Sequence, residues 1–155
     1  MRRSHLIPFA AALALLVLAS PGLASVVSPP SNLGELARIS RTVVFAEAQG
    51  QRTELRGETP YTVTLFSLVR QVAGEAVGNT FEVREAGGIV GDIGMAVSGA
   101  PVFQRGGRYL LFLDPGAGGG WQTKMLAYGV LREEGGVLSP IPQASELSVI
   151  PRPGI

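Results

Sequence analysis

Apolar and polar residues alternate along much of the chain, and this period of two is typical of β-strands. In the longest run, residues 61–72, the side chains of Tyr61, Val63 and Leu65 would share one face. The alternation slips at Leu65 and Phe66, which predicts a bulge or a strand that changes sheets. Other strands are predicted at residues 42–48, 80–86, 108–113 and 121–128 and in a hairpin at 130–132 and 137–139. The pattern therefore predicts an all-β domain of five or six strands.

Polar and glycine-rich segments separate the predicted strands. Residues 50–57 are predicted to form a polar connection, and residues 133–136 a four-residue hairpin connection. The turn residues at 114–116 end the apolar strand before them, and residues 117–120 form a flexible tip. Residues 87–101 hold five glycines, too many for a stable helix, so we expect a long loop with at most a brief strand.

A short helix is predicted before the strands, over residues 33–40. Asn32 is placed to cap its N-terminus, and Glu35, three residues later, completes a capping box. Short strands at this spacing close as a small barrel or pack as a sandwich. A bulged long strand favours the barrel, because one strand then serves both sides. Residues 32–139 are thus predicted to be a small barrel, followed by a proline-rich tail, residues 140–155.

The N-terminus has the layout of a cleaved secretory signal peptide. Arg2-Arg3 precedes an apolar run at residues 6–19, and small residues follow before position 25. We expect residues 1–24 to be removed and an exposed linker, residues 25–31, to begin the mature chain. The protein would then be periplasmic or extracellular, with the Sec and twin-arginine routes both open. An uncleaved membrane anchor is the alternative, although the run is shorter than the ~20 apolar residues of a spanning helix.

Composition excludes several kinds of chemistry. The chain has no cysteine, and its one histidine, His5, lies in the predicted signal peptide. A mature chain without imidazole or thiol groups cannot assemble a Ser-His-Asp triad or a zinc site with histidine or cysteine ligands. Loss of two arginines with the signal changes 13 basic residues to 11, against 12 acidic ones. With Lys124 as the only lysine and no basic cluster, we expect no nucleic-acid partner.

Carboxylates are the remaining catalytic candidates. Glu82 and Glu85 would point to opposite faces of a strand, because they are three residues apart. A glycosidase needs two carboxyl groups held about 5–9 Å apart, and only a shared cleft for Asp92 and Asp114 would supply them. One acid among glycines is also too few ligands for calcium, and the glycines before Trp121 lack the spacing of a phosphate-binding loop. We therefore predict no catalytic residue, metal ligand or cofactor, and keep a carboxylate-dependent hydrolase as the alternative.

Binding residues are predicted in two loops, residues 87–103 and 115–121. Asp92 and Phe103 lie in the first loop, and Trp121 follows the glycines of the second. An exposed tryptophan often anchors a partner, whereas a buried one would close the end of the barrel. We hypothesise an exported, non-enzymatic domain that recognises a protein or peptide, with no membrane span in the mature chain. A structural component of the cell envelope, assembled through exposed strand edges, is a further alternative.

Four segments carry a resemblance to a known group. They are TVVFAEA, TPYTVTLFSLVRQVAG, TFEVREAGG and GAPVFQRGGRYLLFL. They resemble small exported bacterial proteins that are sometimes encoded near metalloproteases, and the match covers roughly residues 36–139. Their strand order is similar to the OB-fold of netrin-like domains and of tissue inhibitors of metalloproteases. The resemblance implies an OB-like barrel and a secreted protease as one partner. Those inhibitors chelate zinc through an N-terminal cysteine, whereas this mature chain would begin with Ser25, so no site residue is carried over.

Overall fold

The structure is a computed structural model, and it describes residues 26–27 and 30–149. The described chain is mostly β, with one α-helix and two short 3-10 helices. The predicted signal peptide, residues 1–24, and the predicted cleavage before Ser25 lie outside the described residues. Export therefore stays a prediction.

The strands and helices follow one another with short connections. In chain order the strands are β1 (Val26–Val27), β2 (Thr42–Arg56), β3 (Thr59–Gly74), β4 (Thr80–Ala86), β5 (Gly88–Val90), β6 (Ile93–Met95), β7 (Arg108–Pro115), β8 (Trp121–Thr123), β9 (Val130–Glu134), β10 (Val137–Pro140) and β11 (Ser148–Val149). The helix α1 spans Leu33–Ile39, and the 3-10 helices span Leu126–Gly129 and Pro142–Glu146. None of the helices within the described residues is both long enough and apolar enough to cross a membrane.

Helix α1 confirms the predicted cap. Asn32 Oδ1 accepts a hydrogen bond from the Glu35 N–H (2.9 Å), and Glu35 Oε2 accepts one from the Ser31 N–H (2.6 Å). The reciprocal donor is thus Ser31, one residue before the N-cap. The helix ends at Ser40, whose hydroxyl donates to the Leu36 carbonyl (2.7 Å), a bond that competes with a further helical turn.

Seven strands form one sheet in the order β10-β9-β7-β2-β3-β4-β8. Strand β8 also pairs with β7, so each of β2, β3, β4, β7 and β8 pairs with two others of this set. The β7–β8 pairing is antiparallel, whereas β4 and β8 are parallel and meet at Val83 and Trp121. Strands β5 and β6 form a separate hairpin, and β1 pairs in parallel with β11.

Strand β7 lies at the centre and is covered on both faces, as its apolar sequence predicts. Tyr109 and Leu111 face the main core, which also contains Phe66. Phe112 faces the opposite way and packs with Leu36 of α1 in a second, smaller cluster. Helix α1 is therefore a cover for the outer face of the sheet, held by burial of apolar area.

The predicted polar connection at residues 50–57 is wrong, because β2 continues as a strand to Arg56. It pairs with β3 as far as Thr59, so only two residues form the turn between the strands. Arg52 donates two hydrogen bonds to the Glu82 carboxylate (2.6 and 3.1 Å) on one face of this segment. On the other face, Gln51 donates to the Thr64 hydroxyl (3.0 Å). The polar side chains thus have partners on neighbouring strands, and this explains why a polar segment belongs to the sheet.

A bulge is present where the sequence predicted one, at Leu65 and Phe66 of β3, but its extra residue lies on the partner strand β2. Ala48 pairs with Phe66 and Gly50 pairs with Leu65, so Gln49 of β2 is the unpaired residue. On β3 itself, Phe66 is fully buried, whereas Leu65 is 39 % exposed. The alternation of the sequence had assigned Leu65 to the apolar face, and the core takes Phe66 instead.

Three other predicted segments differ from the structure. Strand β8 ends at Thr123 because Met125 and Leu126 both have φ near +56°, which turns the chain out of the strand. Residues 87–101 contain the hairpin of β5 and β6 rather than a continuous loop. The connection between β9 and β10 is two residues long, not four, because Glu134 pairs with Val137.

The two predicted flanks pair with each other, and the C-terminal one also contributes to the core. Val26 and Val27, in the predicted linker, pair with Ser148 and Val149. In the predicted tail, Ile141 is 4 % exposed and belongs to the main core.

Candidate functional site

The three residues predicted to bind a partner lie in different parts of the fold. Asp92 is exposed in the turn between β5 and β6. Trp121 is half-buried at the start of β8, where it packs against the main core. Phe103 is 5 % exposed. No ring contact, hydrogen bond or ion pair within the described residues joins any two of them.

Phe103 belongs to an aromatic cluster inside the core. Its ring packs edge-on against Phe66 (centroids 5.0 Å apart) and against Tyr109 (5.1 Å). Phe66 also stacks on Phe81 at 5.6 Å. Edge-to-face pairs at these separations are favourable beyond the area that they bury. The Phe103 side chain therefore stabilises the core, and the residue also lines a cavity of about 260 Å³ together with Gln51 and Arg105.

The hairpin of β5 and β6 exposes apolar side chains. Ile89 is 71 % exposed and Ile93 is 43 % exposed, and Val102, in the segment that follows, is 57 % exposed. We call Ile89, Ile93 and Val102 the hairpin surface. A cavity of about 420 Å³ lies between the hairpin and the sheet, and its lining includes Met95 and Val102. This surface falls within residues 87–103, one of the two loops that the sequence predicts to bind.

Two glycines hold the hairpin against β3. Gly87 donates to the Pro60 carbonyl (2.8 Å) and its own carbonyl accepts from the Thr62 hydroxyl (3.0 Å). Gly88 has φ of +124°, and a Cβ at this position would lie 2.8 Å from Thr62 Oγ1. Because only glycine combines this conformation with so close an approach, the base of the hairpin is fixed while its tip is solvated.

A second cavity, of about 270 Å³, contains a buried carboxyl group. Glu85 is 8 % exposed, and its Oε1 accepts hydrogen bonds from both the backbone N–H and the hydroxyl of Thr123 (2.6 Å each). Tyr61, Arg84 and Gln122 are among the other residues that line this cavity, together with apolar residues such as Leu126. We call this space the Glu85 cavity.

The alternation of side chains along β4 and the pairing of β4 with β8 place the Glu85 side chain inside the fold. Phe81 and Val83, at alternate positions before it, are both buried. Alternation along a strand sends Glu82 and Arg84 to the outer face and Glu85 to the inner one. Thr123 reaches Glu85 because β8 runs beside β4. The alternation along β4 could be read from the sequence, whereas the long-range contact between β4 and β8 could not.

Burial raises the pKa of Glu85 to about 7, and its hydrogen bonds from the Thr123 hydroxyl and backbone oppose this shift. No charged neighbour contributes to the shift. Arg84, the next residue, is bound on the outer face by Glu54 (2.7 Å) and Glu82 (3.5 Å). Within the described part of the chain, Glu85 is thus a buried acid without a counter-ion.

The walls of the Glu85 cavity are defined by irregular backbone. Met125 and Leu126 line it, and both have φ near +56°, a conformation that costs a non-glycine residue about 1–2 kcal/mol. The glycine loop at residues 116–120 forms another side, and it is tied down where Arg56 and Arg84 donate hydrogen bonds to its carbonyls. The sequence predicted a flexible tip there, and these two bonds restrain it.

The remaining acidic candidates do not converge. Asp114 binds Lys124 (2.7 Å) and accepts the Arg41 N–H (3.0 Å), whereas Asp92 lies on the hairpin. Among the described residues, no three histidine, cysteine, aspartate or glutamate side chains come together as a metal site would require. The chain matches no model of a protein family, no curated protein and no solved structure.

Proposed function

We propose that this chain is an exported, non-enzymatic domain that binds a peptide segment of a partner protein through the hairpin surface. The observation that carries the proposal is the exposure of Ile89, the most exposed large apolar residue among those described. Ile93 is exposed on the other face of the same hairpin, and the exposed Val102 lines the cavity at its base. Single exposed apolar residues are ordinary, but several on one hairpin next to a cavity favour an interaction site.

A rigid base and an apolar tip favour recognition. The base of the hairpin is fixed to β3 through Gly87 and Thr62 (3.0 Å), so little backbone conformational entropy would be lost when a partner binds. The apolar side chains of the tip gain from leaving water, at about 25 cal/mol per Å² of buried apolar area. Asp92, in the turn of the same hairpin, would add a polar contact at the rim.

We further propose that β2, β3, β4, β7 and β8 close into a small OB-like barrel. The support is their ring of pairings, with a parallel β4–β8 contact and antiparallel contacts elsewhere. Barrels present loops from a rigid framework, which agrees with a binding role for the hairpin that follows β4. The resemblance to exported proteins with an OB-like strand order makes a secreted protease one partner to test.

The hydrolase alternative has one observation in its favour, the raised pKa of Glu85. Glu85 is the sole carboxyl group in the lining of its cavity, however, and a two-carboxylate mechanism needs a partner for it. The envelope-component alternative would use strand edges such as β10. That edge is four residues long and ends in Pro140, a residue that blunts strand pairing.

Selection from random peptides displayed on phage tests the proposed function. We expect the predicted mature chain, residues 25–155, to enrich peptides with apolar side chains, and Ile89→Ser to abolish that enrichment. Val137→Ser is the matched control, because Val137 is 65 % exposed on β10, outside the hairpin. Enrichment of no peptide, or equal losses in both variants, would refute the role of the hairpin surface.

A further inference from the structure

We propose that the Glu85 cavity is a binding site for an organic cation, an alkylammonium or guanidinium group, with the Glu85 carboxylate as its anionic partner. This site is separate from the hairpin surface, and its test does not depend on the proposed function.

The carboxyl group has an unused acceptor. Both hydrogen bonds to Glu85 go to Oε1, from Thr123, and Oε2 has no hydrogen bond to any residue that the structure describes. Oε2 is also not one of the fully buried side-chain atoms that lack a hydrogen bond among the described residues, so it is accessible from the cavity. With Oε1 fixed by two bonds, the carboxyl group has a set orientation, and Oε2 is free for a donor that enters the cavity.

Among the residues that the structure describes, none supplies a cation for this carboxylate. The charged or titratable side chains that line the cavity besides Glu85 are Arg84, on the same strand, and Tyr61, on β3. The guanidinium group of Arg84 is bound by Glu54, Glu82 and the Gly119 carbonyl. The β8 side contributes Thr123 and the neutral Gln122, so an ionised Glu85 would need its positive partner from a ligand.

The cavity suits a cation with an apolar stem. Ala86, Met125 and Leu126 provide apolar lining, and methionine adapts its shape to an alkyl chain. Tyr61 and Gln122 also line the cavity, and both carry oxygen atoms of the kind that accept hydrogen bonds from ammonium or guanidinium groups. At about 270 Å³ the space lies at the small end of ligand pockets, so it fits a single side chain or a small amine.

Protons and the cation would compete for Glu85. The group is protonated in the empty site below about pH 7, and only its ionised form attracts a cation. The apparent affinity is therefore reduced by the ionised fraction, which rises from about one tenth to about nine tenths between about pH 6 and about pH 8. We expect binding about tenfold tighter at the higher pH.

The experiment is a calorimetric titration of the predicted mature chain with n-butylammonium and with methylguanidinium, at both pH values. n-Butanol is the uncharged control ligand. Glu85→Gln keeps the shape and removes the charge, and Glu58→Gln is the matched control because Glu58 is exposed near the same end of the sheet. We expect saturable cation binding in the wild type and in Glu58→Gln, and at least a tenfold loss of affinity in Glu85→Gln.

A second arm distinguishes the source of the cation. Alanine peptides that carry one lysine, one arginine or one norleucine are titrated in the same way. If the lysine or arginine peptide binds and the norleucine peptide does not, the ligand is a basic side chain of a polypeptide. If only the small amines bind, the ligand is a free metabolite. The proposal is overturned if no cation binds at millimolar concentration, if Glu85→Gln binds as well as the wild type, or if affinity is independent of pH. None of these outcomes bears on the phage selection at the hairpin surface.

Discussion

Replacement of Glu85 by glutamine is expected to change the pH dependence of stability in a defined direction. The folded chain keeps the Glu85 proton up to about pH 7, whereas the unfolded chain loses it near the ordinary pKa of 4.5. Between these values the folded state binds more protons, so this group's contribution to the free energy of unfolding falls as pH rises. Each pKa unit corresponds to about 1.4 kcal/mol, so the full change is about 3 kcal/mol.

The measurement is urea denaturation of wild type and of Glu85→Gln at intervals from about pH 4 to about pH 8.5. The difference between the two proteins is the quantity to follow, because other carboxylates act in the opposite sense. Hydrogen bonds from Arg56 lower the pKa of Glu54, and those from Arg52 lower the pKa of Glu82, so their contributions are lost as pH falls.

We expect the stability of the wild type relative to Glu85→Gln to fall by about 3 kcal/mol across the range, with most of the loss between about pH 4.5 and about pH 7. Glutamine at position 85 still accepts the hydrogen bonds of Thr123 through its amide oxygen, so the variant isolates the charge. Glu58→Gln should show no such trend, because Glu58 is exposed. A difference between wild type and Glu85→Gln that stays constant with pH would show that Glu85 is not buried as an acid.

Two other substitutions test the turn beside the Glu85 cavity and the start of the helix. A Cβ at Gly129 would overlap the backbone carbonyl oxygen of Lys124, so Gly129→Ala should destabilise the fold by about 1–3 kcal/mol in urea denaturation. Gly50→Ala, where a Cβ has open space, should leave stability unchanged or raise it by up to about 1 kcal/mol, and equal effects of the two would contradict the packing at the turn. Asn32→Ala removes the acceptor of the helix cap and should cost about 1 kcal/mol, measured as a lower urea midpoint. Ser31→Ala should be neutral, because Ser31 contributes only its backbone N–H, and a comparable loss in both variants would argue against the cap.

The elements that could be predicted from the sequence are those that local chemistry decides. The cap at Asn32 needs only a glutamate three residues later, and the inward face of β4 follows from the alternation around Phe81 and Val83. The end of β2 was missed because its outward polar residues are matched by Glu82 on a strand distant in sequence. Phe103 was assigned to a binding surface because it ends the glycine-rich loop, residues 87–103, whereas its ring is buried against Phe66 and Tyr109.

The position of Glu85 shows how a site arises from long-range pairing. Parity within β4 already directs its side chain inward, where an isolated carboxyl group would be costly. The cost is reduced because β8 brings Thr123 to Oε1, and β8 lies there because it pairs with both β4 and β7. Strand β8 ends at Thr123, and Met125 and Leu126, which follow it, have left-handed backbone conformations. Both residues line the cavity next to the Glu85 carboxyl group, where a longer strand would have covered it. The pairing that makes Glu85 tolerable in the fold is thus the one that leaves its second oxygen open to a ligand.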